Sequence, residues 1–498
     1  MSSSLFSSAE WAAEARTLVL STGAIIDGVV GAPVSGTPIE RVSPRDGSAL
    51  PAVAAAAPAD VDRAVAGARA AFRSGVWSAL APRQRGQALI RFAELVERDA
   101  RRLALTISVE MGKPAQDAHD VELRAIATTL RWYGELADKL DDASPQVGPD
   151  ALALVTREPA GVVAAITPWN FPLTMTGWKI GPALVAGNSV VLKPAEATSS
   201  VVLALGELAL EAGIPAGVLQ VLPGAGQVIG QALGRHPDVN VLAFTGSGRV
   251  GRLLQGYAAE SNGKRVWPEL GGHSASVVLA DADAEQAGAT IGWAAFYNQG
   301  EMCSAARRLI VHRDVADAVI AAAVRTAGEM APADPLDPTS RSGALISLAA
   351  RDQIARAVDE AVAAGATVLA GGRIVEPVPG GAYYEPTILS GVAPGTTLHA
   401  TEVFGPVLTV TVVDSNEEAI ALANDSDYGL AASLWTRDLA AAHRFSRALD
   451  AGTVWVNCYE EGTLSMPFGG RRDSGFGADK SGHAVDKYTD LKSVWIAL

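Results

Sequence analysis

The chain has few cysteines, few basic residues and no long apolar run, and each shortage excludes a class of protein. Two cysteines in 498 residues exclude a disulfide scaffold and are typical of a reducing compartment. Lysine and arginine number 40 against 54 aspartates and glutamates, which argues against nucleic acid as a partner. No run reaches the roughly 18 apolar residues of a membrane-spanning helix, and the N-terminus lacks the pattern of a signal peptide. We expect a cytoplasmic protein that binds neither membrane nor nucleic acid.

Apolar residues are plentiful enough to build large cores. Hydrophobic residues make up 49% of the chain and charged residues 19%, so it does not resemble a disordered tether. Its length favours two to four domains. The net charge of −14 has two readings, solubility or attraction of a cationic substrate. No metal site is predicted.

Short β-branched runs alternate with helical patterns in the middle of the chain. Strands are predicted at 162–166, 189–192, 218–222 and 241–244, and their starts recur at roughly the length of a βαβ unit. The pattern over 199–213 is helical and ends at a glycine. Continuous apolar strands joined by helices predict a parallel sheet covered on both faces, with ligands at the carboxyl ends of its strands.

A second α/β pattern follows, with strands predicted at 276–279, 407–412 and 452–457. The alanine-rich stretch 52–71 is predicted to be helical scaffold. The ending at 491–498 is apolar and β-prone. Such a strand is either part of a subunit interface or tucked into the core of its own chain.

One cysteine and one glutamate suggest covalent catalysis. Cys303 follows a turn-forming glycine, Gly300, and Glu269 lies upstream beside two glycines. A thiolate nucleophile with a separate carboxylate base can form and then hydrolyse a thioester. Asn170, in the run WNFP after the first strand, offers an uncharged N–H₂ donor suited to an oxyanion.

Polar turns after the other strands suggest a nucleotide site. Residues 246–251 (GSGRVG) follow a strand and match G-x-G-x-x-G, which is weak evidence in a chain with 50 glycines. Lys193 and Glu196 end another strand and could bind ribose hydroxyls, with phosphates at a helix N-terminus beside Ser247.

Seven segments in order carry a family resemblance. They are WNFP at 169–172, KPAE at 193–196, FTGS at 244–247, ELGG at 269–272, NQGEMC at 298–303, EVFGPV at 402–407 and PFGG at 467–470. The chain resembles the NAD(P)-dependent aldehyde dehydrogenase superfamily over nearly its whole length. The resemblance implies an α/β fold with a Rossmann-type NAD-binding domain (1–140 and 160–271), an α/β catalytic domain (272–475) and a small β oligomerisation arm (141–159 and 485–498).

The resemblance also implies roles for individual residues. Cys303 would attack the aldehyde, Asn170 would hold the oxyanion, and Glu269 would activate water. Lys179 matches one half of a proposed proton relay, with Asp479 as the other half. Cys458 matches no catalytic position.

The cofactor implied is NAD, with NADP possible, because Glu196 would repel a 2′-phosphate. Lys193 and Glu196 would hold the adenosine ribose, Ser247 the pyrophosphate, and Glu402 with Phe404 the nicotinamide ribose. The remaining positions that the resemblance assigns to the cofactor are Thr167, Trp169, Gly226, Gly230, Thr245, Val250 and Leu270.

The substrate implied is a small aldehyde, and the nearest subgroup resemblance is to bacterial γ-glutamyl-γ-aminobutyraldehyde and ω-aminoaldehyde dehydrogenases of polyamine breakdown. It rests on four segments, GKRVW at 263–267, FYNQG at 296–300, WTRDL at 435–439 and DLKSVWI at 490–496. By family position the substrate tunnel would be lined by Phe171, Met175, Trp178 and Tyr297. Glu460 or Glu461 is hypothesised to attract a cationic tail, or else both are solvated loop acids.

Three positions depart from the family pattern. Glu301 stands where glutamine is common, Arg472 where lysine is usual and Asp479 where glutamate is usual. A charge on Glu301 would disfavour the thiolate unless the side chain points away.

Alternatives remain open at this stage. Succinic semialdehyde would call for an arginine in the tunnel, and only Arg307 and Arg308 lie near the nucleophile. Betaine aldehyde and broad alkyl specificity also remain, while a CoA-acylating reaction is disfavoured by Glu269. A non-catalytic binding protein on the same fold is the alternative of another class. The assembly is expected to be a homodimer or a homotetramer.

Overall fold

The computed structural model of the protein describes residues 6–498 and contains two large sheets with helices packed around them. The strands are β1 (Ala24–Ile26), β2 (Val29–Ala32), β3 (Ile39–Val42), β4 (Ala49–Val53), β5 (Ala151–Pro159), β6 (Val162–Ile166), β7 (Ser189–Lys193), β8 (Leu219–Val221), β9 (Val241–Gly246), β10 (Arg265–Leu270), β11 (Ala275–Val278), β12 (Arg308–His312), β13 (Thr367–Ala370), β14 (Ile374–Val375), β15 (Tyr383–Tyr384), β16 (Thr387–Ser390), β17 (Val407–Val413), β18 (Tyr428–Gly429), β19 (Ala431–Trp435), β20 (Thr453–Val456), β21 (Arg471–Arg472) and β22 (Thr489–Ala497).

The helices alternate with these strands along most of the chain. They are α1 (Ser8–Thr17), α2 (Pro58–Ser74), α3 (Pro82–Arg98), α4 (Ala100–Met111), α5 (Ala115–Asp117), α6 (Arg124–Leu136), α7 (Pro172–Val185), α8 (Ser199–Glu211), α9 (Gln231–Arg235), α10 (Gly248–Ala259), α11 (Ala284–Phe296), α12 (Arg313–Glu329), α13 (Leu348–Ala363), α14 (Thr397–Ala400), α15 (Asn416–Asn424) and α16 (Leu439–Ala448). Two π turns (Ala118–Leu123, Gly226–Gly230) and two 3₁₀ turns (Tyr297–Gly300, Gly482–Tyr488) complete the set.

The first large sheet has the order β10-β9-β6-β7-β8-β1-β2. Strands β10, β9, β6, β7 and β8 run parallel, and β1 and β2 add an antiparallel edge. Every residue of β6 and β7 is buried, as expected for strands covered by helices on both faces. The four predicted strands of this region are confirmed, with boundary shifts of up to two residues.

The second large sheet has the order β13-β16-β17-β12-β11-β19-β20 and is parallel except at β13. It contains the three strands predicted for the second half of the chain. The first sheet ends at Leu270 and the second begins at Ala275. The mixed α/β, Rossmann-like fold class is therefore confirmed, and the assignment of functions to the ranges on either side stays a prediction.

The prediction of a helix over 52–71 is wrong at its start. Strand β4 continues to Val53, and α2 begins only at Pro58. Proline disfavours helical geometry in the residue before it but suits the first helical turn itself. Asp60 then accepts a hydrogen bond from the backbone N–H of Ala57 (2.9 Å), so the helix begins where its cap is satisfied.

The last strand does not enter a core. Strand β22 pairs antiparallel with β5 through nine residue pairs, in a two-stranded sheet separate from the two large ones. Leu491 and Trp495 are each 67% exposed. The alternative of a strand buried in the core of its own chain is therefore wrong.

The described residues contain neither a membrane-spanning helix nor a cluster of metal-binding side chains. No helix within 6–498 is long and apolar enough to cross a membrane. In the same range no group of three or more His, Cys, Asp or Glu side chains could hold a metal ion.

Candidate active site

Cys303 is presented by a strained turn that follows helix α11. Asn298, Gln299 and Gly300 have φ values of 51°, 59° and 69°, in the left-handed region that non-glycine residues rarely adopt. A Cβ on Gly300 would collide with the carbonyl of Gly405. Cys303 itself is a free, partly buried thiol packed against the core of the second sheet.

Asn170 lies beside this turn. Its Nδ2 donates to the carbonyl of Glu301 (2.9 Å), and Asn298 Nδ2 donates to the same carbonyl (2.9 Å) and to that of Asn170 (3.3 Å). A carboxamide has two N–H groups, so one on Asn170 remains for a ligand next to the nucleophile. The structure thus brings together Asn170 and the Cys303 loop, as the sequence predicts.

Glu269 is the buried acid of this site. It lies in β10 opposite Thr245 of β9, is 5% exposed, and neither of its carboxylate oxygens has a hydrogen-bond partner within residues 6–498. Burial raises the pKa of Glu269 to about 7, although Lys179 and the nearby Thr245 hydroxyl and Cys303 thiol oppose the rise. A carboxylate with unused lone pairs and a pKa near neutrality is suited to accept a proton.

Behind Glu269 lies a chain of buried charges. Lys179 and Asp479 form an ion pair, each with its side chain 1% exposed, which fits the predicted relay. A third member, Lys487, pairs with the other oxygen of Asp479 and was not anticipated. Burial lowers the pKa of Lys487 to about 8, with Asp479 opposing the change. Nothing in the local sequence marks Lys487, because it reaches Asp479 through the 3₁₀ turn that contains it.

The thiol is surrounded by acids. Burial raises the pKa of Cys303 well above its usual value, and the carboxyl groups of Glu269, Glu460 and Glu402 raise it further. The resting thiol is therefore protonated at neutral pH, so it needs a base for activation. Glu269 is near enough to accept its proton.

Arg307 connects the nucleophile loop to the loop before β17. Its buried guanidinium donates to the carbonyls of Gly300, Met302 and Gly405. Both terminal nitrogens of Arg307 are therefore used in holding backbone, while its buried Nε has no partner within the described residues. The next residue, Arg308, donates to the carbonyls of His273, Leu422 and Ala423, so both side chains are committed to backbone rather than to a substrate carboxylate.

A second buried pair supports Asn170 and was missed by sequence reasoning. Lys113 and Glu122 form an ion pair with both side chains 1% exposed. Lys113 Nζ donates to the carbonyl of Asn170 (3.0 Å), and Glu122 accepts from the N–H of Leu173 (2.9 Å) at the start of α7. The spacing of nine residues within a helical region offered no signal for this role.

The residues predicted to hold an adenosine ribose also meet. Lys193 is buried, its Nζ donates to the carbonyl of Pro194 (2.8 Å) and lies 3.6 Å from Glu196. Glu196 accepts from the backbone N–H of Gly226. Burial lowers the pKa of Lys193, and Glu196 opposes that shift. Gly226 therefore lies next to the Lys193–Glu196 pair, whereas Gly230, which ends the same π turn, is buried and faces Ile166.

The G-x-G-x-x-G segment forms the predicted strand-to-helix turn. Ser247 is the N-cap of α10 and its side chain makes no capping bond, so the first N–H groups of this 12-residue helix are free to meet an anion. Val250 is in the first turn of α10 and is partly buried. Thr167, at the end of β6, is buried and donates its N–H to the carbonyl of Lys193 (3.0 Å).

Glu402 and Phe404 lie near the glycines that follow β10. A Cβ on Gly271 would collide with the carboxylate of Glu402, while Leu270 is buried beside it at the end of β10. Burial raises the pKa of Glu402 to about 7, opposed by Arg307. Phe404 packs edge-on against Trp169 at 5.5 Å.

These features fit a bound dinucleotide. Glu402 Oε1 and Thr245 Oγ1 are buried without hydrogen-bond partners in the described chain, and buried polar atoms normally have them. Free helical N–H groups lie near Ser247, and the carboxylates of Glu196 and Glu402 lie beside Gly226 and Gly271.

The aromatic residues predicted for the tunnel are near the nucleophile. Trp178 packs against Phe468, with their ring centres 5.5 Å apart. Phe468 belongs to the core of the second sheet, and Trp178 and Cys303 both pack against that core. Tyr297 is stacked on Trp293. Met175 is 5% exposed on α7, and the ring of Phe171 lies 3.8 Å from Lys113 Nζ.

The structure separates the two loop acids. Glu460 accepts a hydrogen bond from the hydroxyl of Ser304, next to the nucleophile. Glu461 contributes only its carbonyl, which accepts from Trp455 Nε1 (2.8 Å). Of the two candidates, only Glu460 directs its carboxylate towards the reaction centre.

The substitution at Glu301 is resolved by its environment. The side chain is fully buried, and Oε1 accepts from the backbone N–H of Ile346 (3.0 Å) while Oε2 has no partner. Burial raises the pKa of Glu301 well above its usual value. The carboxyl group therefore points away from the thiol and favours the neutral form, which has the shape of a glutamine amide. Arg472 is bound to Asp450 and to the carbonyls of Asn424 and Ser426.

A partly buried cysteine, an unpartnered acid and an amide donor at the carboxyl edge of a dinucleotide-type sheet are the groups expected of a cofactor-dependent enzyme with a thiol nucleophile. The chain belongs to the aldehyde dehydrogenase family, whose model matches residues 32–494. It is thus an oxidoreductase acting on aldehydes, and the family's cofactor is NAD(P).

Three relatives illustrate the likeness. The chain is 47% identical to an aminoacetaldehyde dehydrogenase of Pseudomonas aeruginosa, over 99% of both chains. It is 46% identical to the solved γ-glutamyl-γ-aminobutyraldehyde dehydrogenase of Burkholderia cenocepacia, with a TM-score of 0.97 over 99% of this chain and 100% of that one. It is 47% identical to a mutant of the indole-3-acetaldehyde dehydrogenase AldA of P. syringae, solved with NAD⁺ and IAA, with the same TM-score and coverage.

The buried carboxyl group of Glu301 makes stability depend on pH. Its pKa is higher in the folded chain than in the unfolded chain, so the folded state binds more protons and loses stability as pH rises above about 4.5. We expect Glu301→Gln to be more stable than the wild type, by about 1–3 kcal/mol at neutral pH, with a smaller difference near pH 5. Thermal unfolding at pH 5, 6, 7 and 8 measures this. A difference that is constant across this range would contradict it.

Proposed function

We propose that the protein oxidises an aldehyde carrying an ω-amino or γ-glutamylamino group to its carboxylic acid, through a thioester on Cys303. The observation that carries the reaction is Glu269, a buried carboxylate with both oxygens unused, beside a protonated thiol. The substrate class is supported by Glu460 near the nucleophile and by the relatives named for amino aldehydes.

The first step is addition of the thiol to the aldehyde. Glu269 accepts the proton of Cys303, and sulfur adds to the carbonyl carbon to give a thiohemiacetal. The free N–H of Asn170, held in place by Glu301, donates to the developing oxyanion, and it stabilises that charge without being able to titrate. When bound, NAD would supply the acceptor for the hydride of the thiohemiacetal carbon, and the acyl group would remain on the sulfur of Cys303.

The second step is hydrolysis of the thioester. Once Glu269 has lost the proton taken from Cys303, it removes a proton from water, the resulting hydroxide adds to the acyl carbon, and the C–S bond breaks to release the acid. The departing thiolate takes up a proton from Glu269, which restores the resting thiol. Lys179, Asp479 and Lys487 form a buried route by which the proton on Glu269 can leave, since Lys179 and Asp479 both influence its pKa.

The cofactor is proposed to be NAD⁺ in preference to NADP⁺. Lys193 and Glu196 would hold the adenosine ribose, and the Glu196 carboxylate would meet a 2′-phosphate with like charge. The fixed position of Glu196 on the N–H of Gly226 supports this, because the carboxylate cannot turn away without losing that bond.

A panel of aldehydes tests the substrate class. We expect γ-glutamylaminobutyraldehyde and 4-aminobutyraldehyde to have kcat/KM values about tenfold or more above those of propanal and succinic semialdehyde, and NAD⁺ to exceed NADP⁺. Absorbance of the reduced nicotinamide follows each reaction, with Cys303→Ala as the inactive control. Indole-3-acetaldehyde belongs in the panel because Trp178 and Tyr297 offer aromatic faces. A higher kcat/KM for indole-3-acetaldehyde than for the amino aldehydes would overturn the proposed substrate class. It would leave the proposed thioester mechanism unchanged.

Glu269 should govern the pH dependence. Because the base must be ionised and its pKa is raised to about 7, kcat should rise with pH up to about 7 and then level off. Glu269→Gln should lower kcat by about 10² to 10³ and abolish the bend. Since the pKa of Glu402 is also raised to about 7, Glu402→Gln is the matched control and should keep the bend. The opposite pattern would assign the base to Glu402.

The two-stranded sheet of β5 and β22 is proposed to join two copies of the chain into a homodimer or homotetramer. A sheet of two strands is marginal alone, and this one exposes Leu491, Trp495 and Leu498. Large exposed apolar side chains in a row are typical of an interface.

We propose a cytoplasmic location for the protein, because two cysteines in 498 residues are typical of a reducing compartment.

A charge in this sheet should therefore change the assembly. We expect Trp495→Glu to yield a species of half the wild-type mass or less, because a buried interfacial carboxylate is strongly disfavoured. Light scattering after size exclusion measures the mass. Leu439→Glu, which alters another leucine that is 72% exposed, is the control. Equal masses for all three proteins would exclude the sheet as the interface.

A further inference from the structure

Lys480 is a cation near the predicted tunnel, and the family resemblance gives it no role. It follows Asp479 directly and has a φ of 61°, a conformation rarely adopted by lysine. Two backbone hydrogen bonds between Phe468 and Asp479 (2.8 and 2.7 Å) and one from Ser481 to Leu464 (2.6 Å) hold this segment against the loop after Glu461. The backbone is therefore strained and fixed where Lys480 leaves it.

The side chain of Lys480 reaches the aromatic wall. Its Nζ lies 5.7 Å from the centre of the Trp178 ring, and Trp178 packs on Phe468. Lys480 is partly buried, and burial lowers its pKa. No carboxylate of residues 6–498 is close enough to form a salt bridge with it, so the Trp178 ring is the neighbour of its charge within the described chain.

Glu460 supplies the opposite charge on the same side of the site. It also has a left-handed backbone, with a φ of 57°, and its carboxylate accepts from the hydroxyl of Ser304. Although the residue is exposed as a whole, burial of the carboxyl end raises its pKa, and Ser304 and Lys480 oppose that rise. The two charges are thus within electrostatic reach of each other but too far apart to pair.

We propose that Glu460 and Lys480 form a subsite for a substrate whose chain carries both an ammonium and a carboxylate, the ammonium meeting Glu460 and the carboxylate meeting Lys480. Two unlike charges that are held apart on strained backbone can each be satisfied by a dipolar ligand placed between them. A purely cationic tail leaves Lys480 unpaired and a purely anionic tail leaves Glu460 unpaired. The inference rests on the proposed function, because it selects among amino aldehydes the ones that end in an amino acid.

The charges of both residues can be removed at nearly constant shape, by Lys480→Met and Glu460→Gln. The probes are γ-glutamylaminobutyraldehyde (dipolar), 4-aminobutyraldehyde (cationic) and succinic semialdehyde (anionic), and each kcat/KM is divided by that for neutral propanal measured with the same variant. The division removes general effects on folding or on the neighbouring Asp479 and Ser304. Lys139→Met, at an exposed lysine after α6, is the control for loss of a positive charge.

The two variants are expected to lower kcat/KM for different pairs of aldehydes. Lys480→Met should lower the normalised value about tenfold for the dipolar and anionic aldehydes, the size expected from losing one charged hydrogen bond, and should not lower it for the cationic aldehyde. Glu460→Gln should lower it by a similar factor for the dipolar and cationic aldehydes and should not lower it for the anionic one. Lys139→Met should follow the wild type.

Two results would overturn the subsite. One is an equal change for all three charged aldehydes in a variant, which indicates a structural role. The other is no change at all. Failure of the proposed function is seen separately, in the wild type, as faster oxidation of propanal than of any amino aldehyde. The normalised kcat/KM values of the two variants can still be compared in that case.

Discussion

Burial of the carboxyl groups around Cys303 is the constraint on which the rest of the site depends. Burial is the largest influence on the pKa values of Cys303, Glu269, Glu301 and Glu402, and in each case it raises them. In water these groups would be three carboxylates and a thiol of ordinary acidity. The same burial demands that the surrounding backbone be fully bonded, and the guanidinium of Arg307 meets that demand by joining the nucleophile loop to the loop of Gly405.

The two sheets bring the reacting groups together because parallel strands end on one edge. Asn170 follows β6 and Glu269 lies near the end of β10, two strands of one sheet, while Cys303 comes from the turn after α11 and leads into β12 of the other sheet. The site therefore lies where the two sheets meet. Neither sheet alone contains the proposed nucleophile and the proposed base, so their relative position depends on contacts such as those of Asn170 with Glu301 and Asn298.

The features that could be predicted from the sequence are those that a local pattern of residues encodes. The strands of the first sheet follow from β-branched runs ending at polar turns, and Cys303 and Glu269 stand out through their glycine-rich surroundings. Lys487 and Lys113 could not be predicted, since each acts through a partner that only folding brings near and a lone lysine has no pattern of its own. The late start of α2 was missed for a different reason, because alanine content outweighed Pro58 in the helix prediction.

Three acids around one thiol raise the question of how a thiolate can form there at all. A proton that moves from Cys303 to Glu269 leaves the total charge of the site unchanged, so the transfer adds no new charge to a region of low dielectric. The transfer is feasible because burial raises both pKa values in the same direction. Glu301 contributes to this balance by turning towards Ile346 and favouring its neutral form. Lys179 and Lys487 face Asp479 behind Glu269, so the positive charge of the site lies on the side of the base. Lys179 lowers the pKa of Glu269 and thereby favours loss of the proton that Glu269 has accepted.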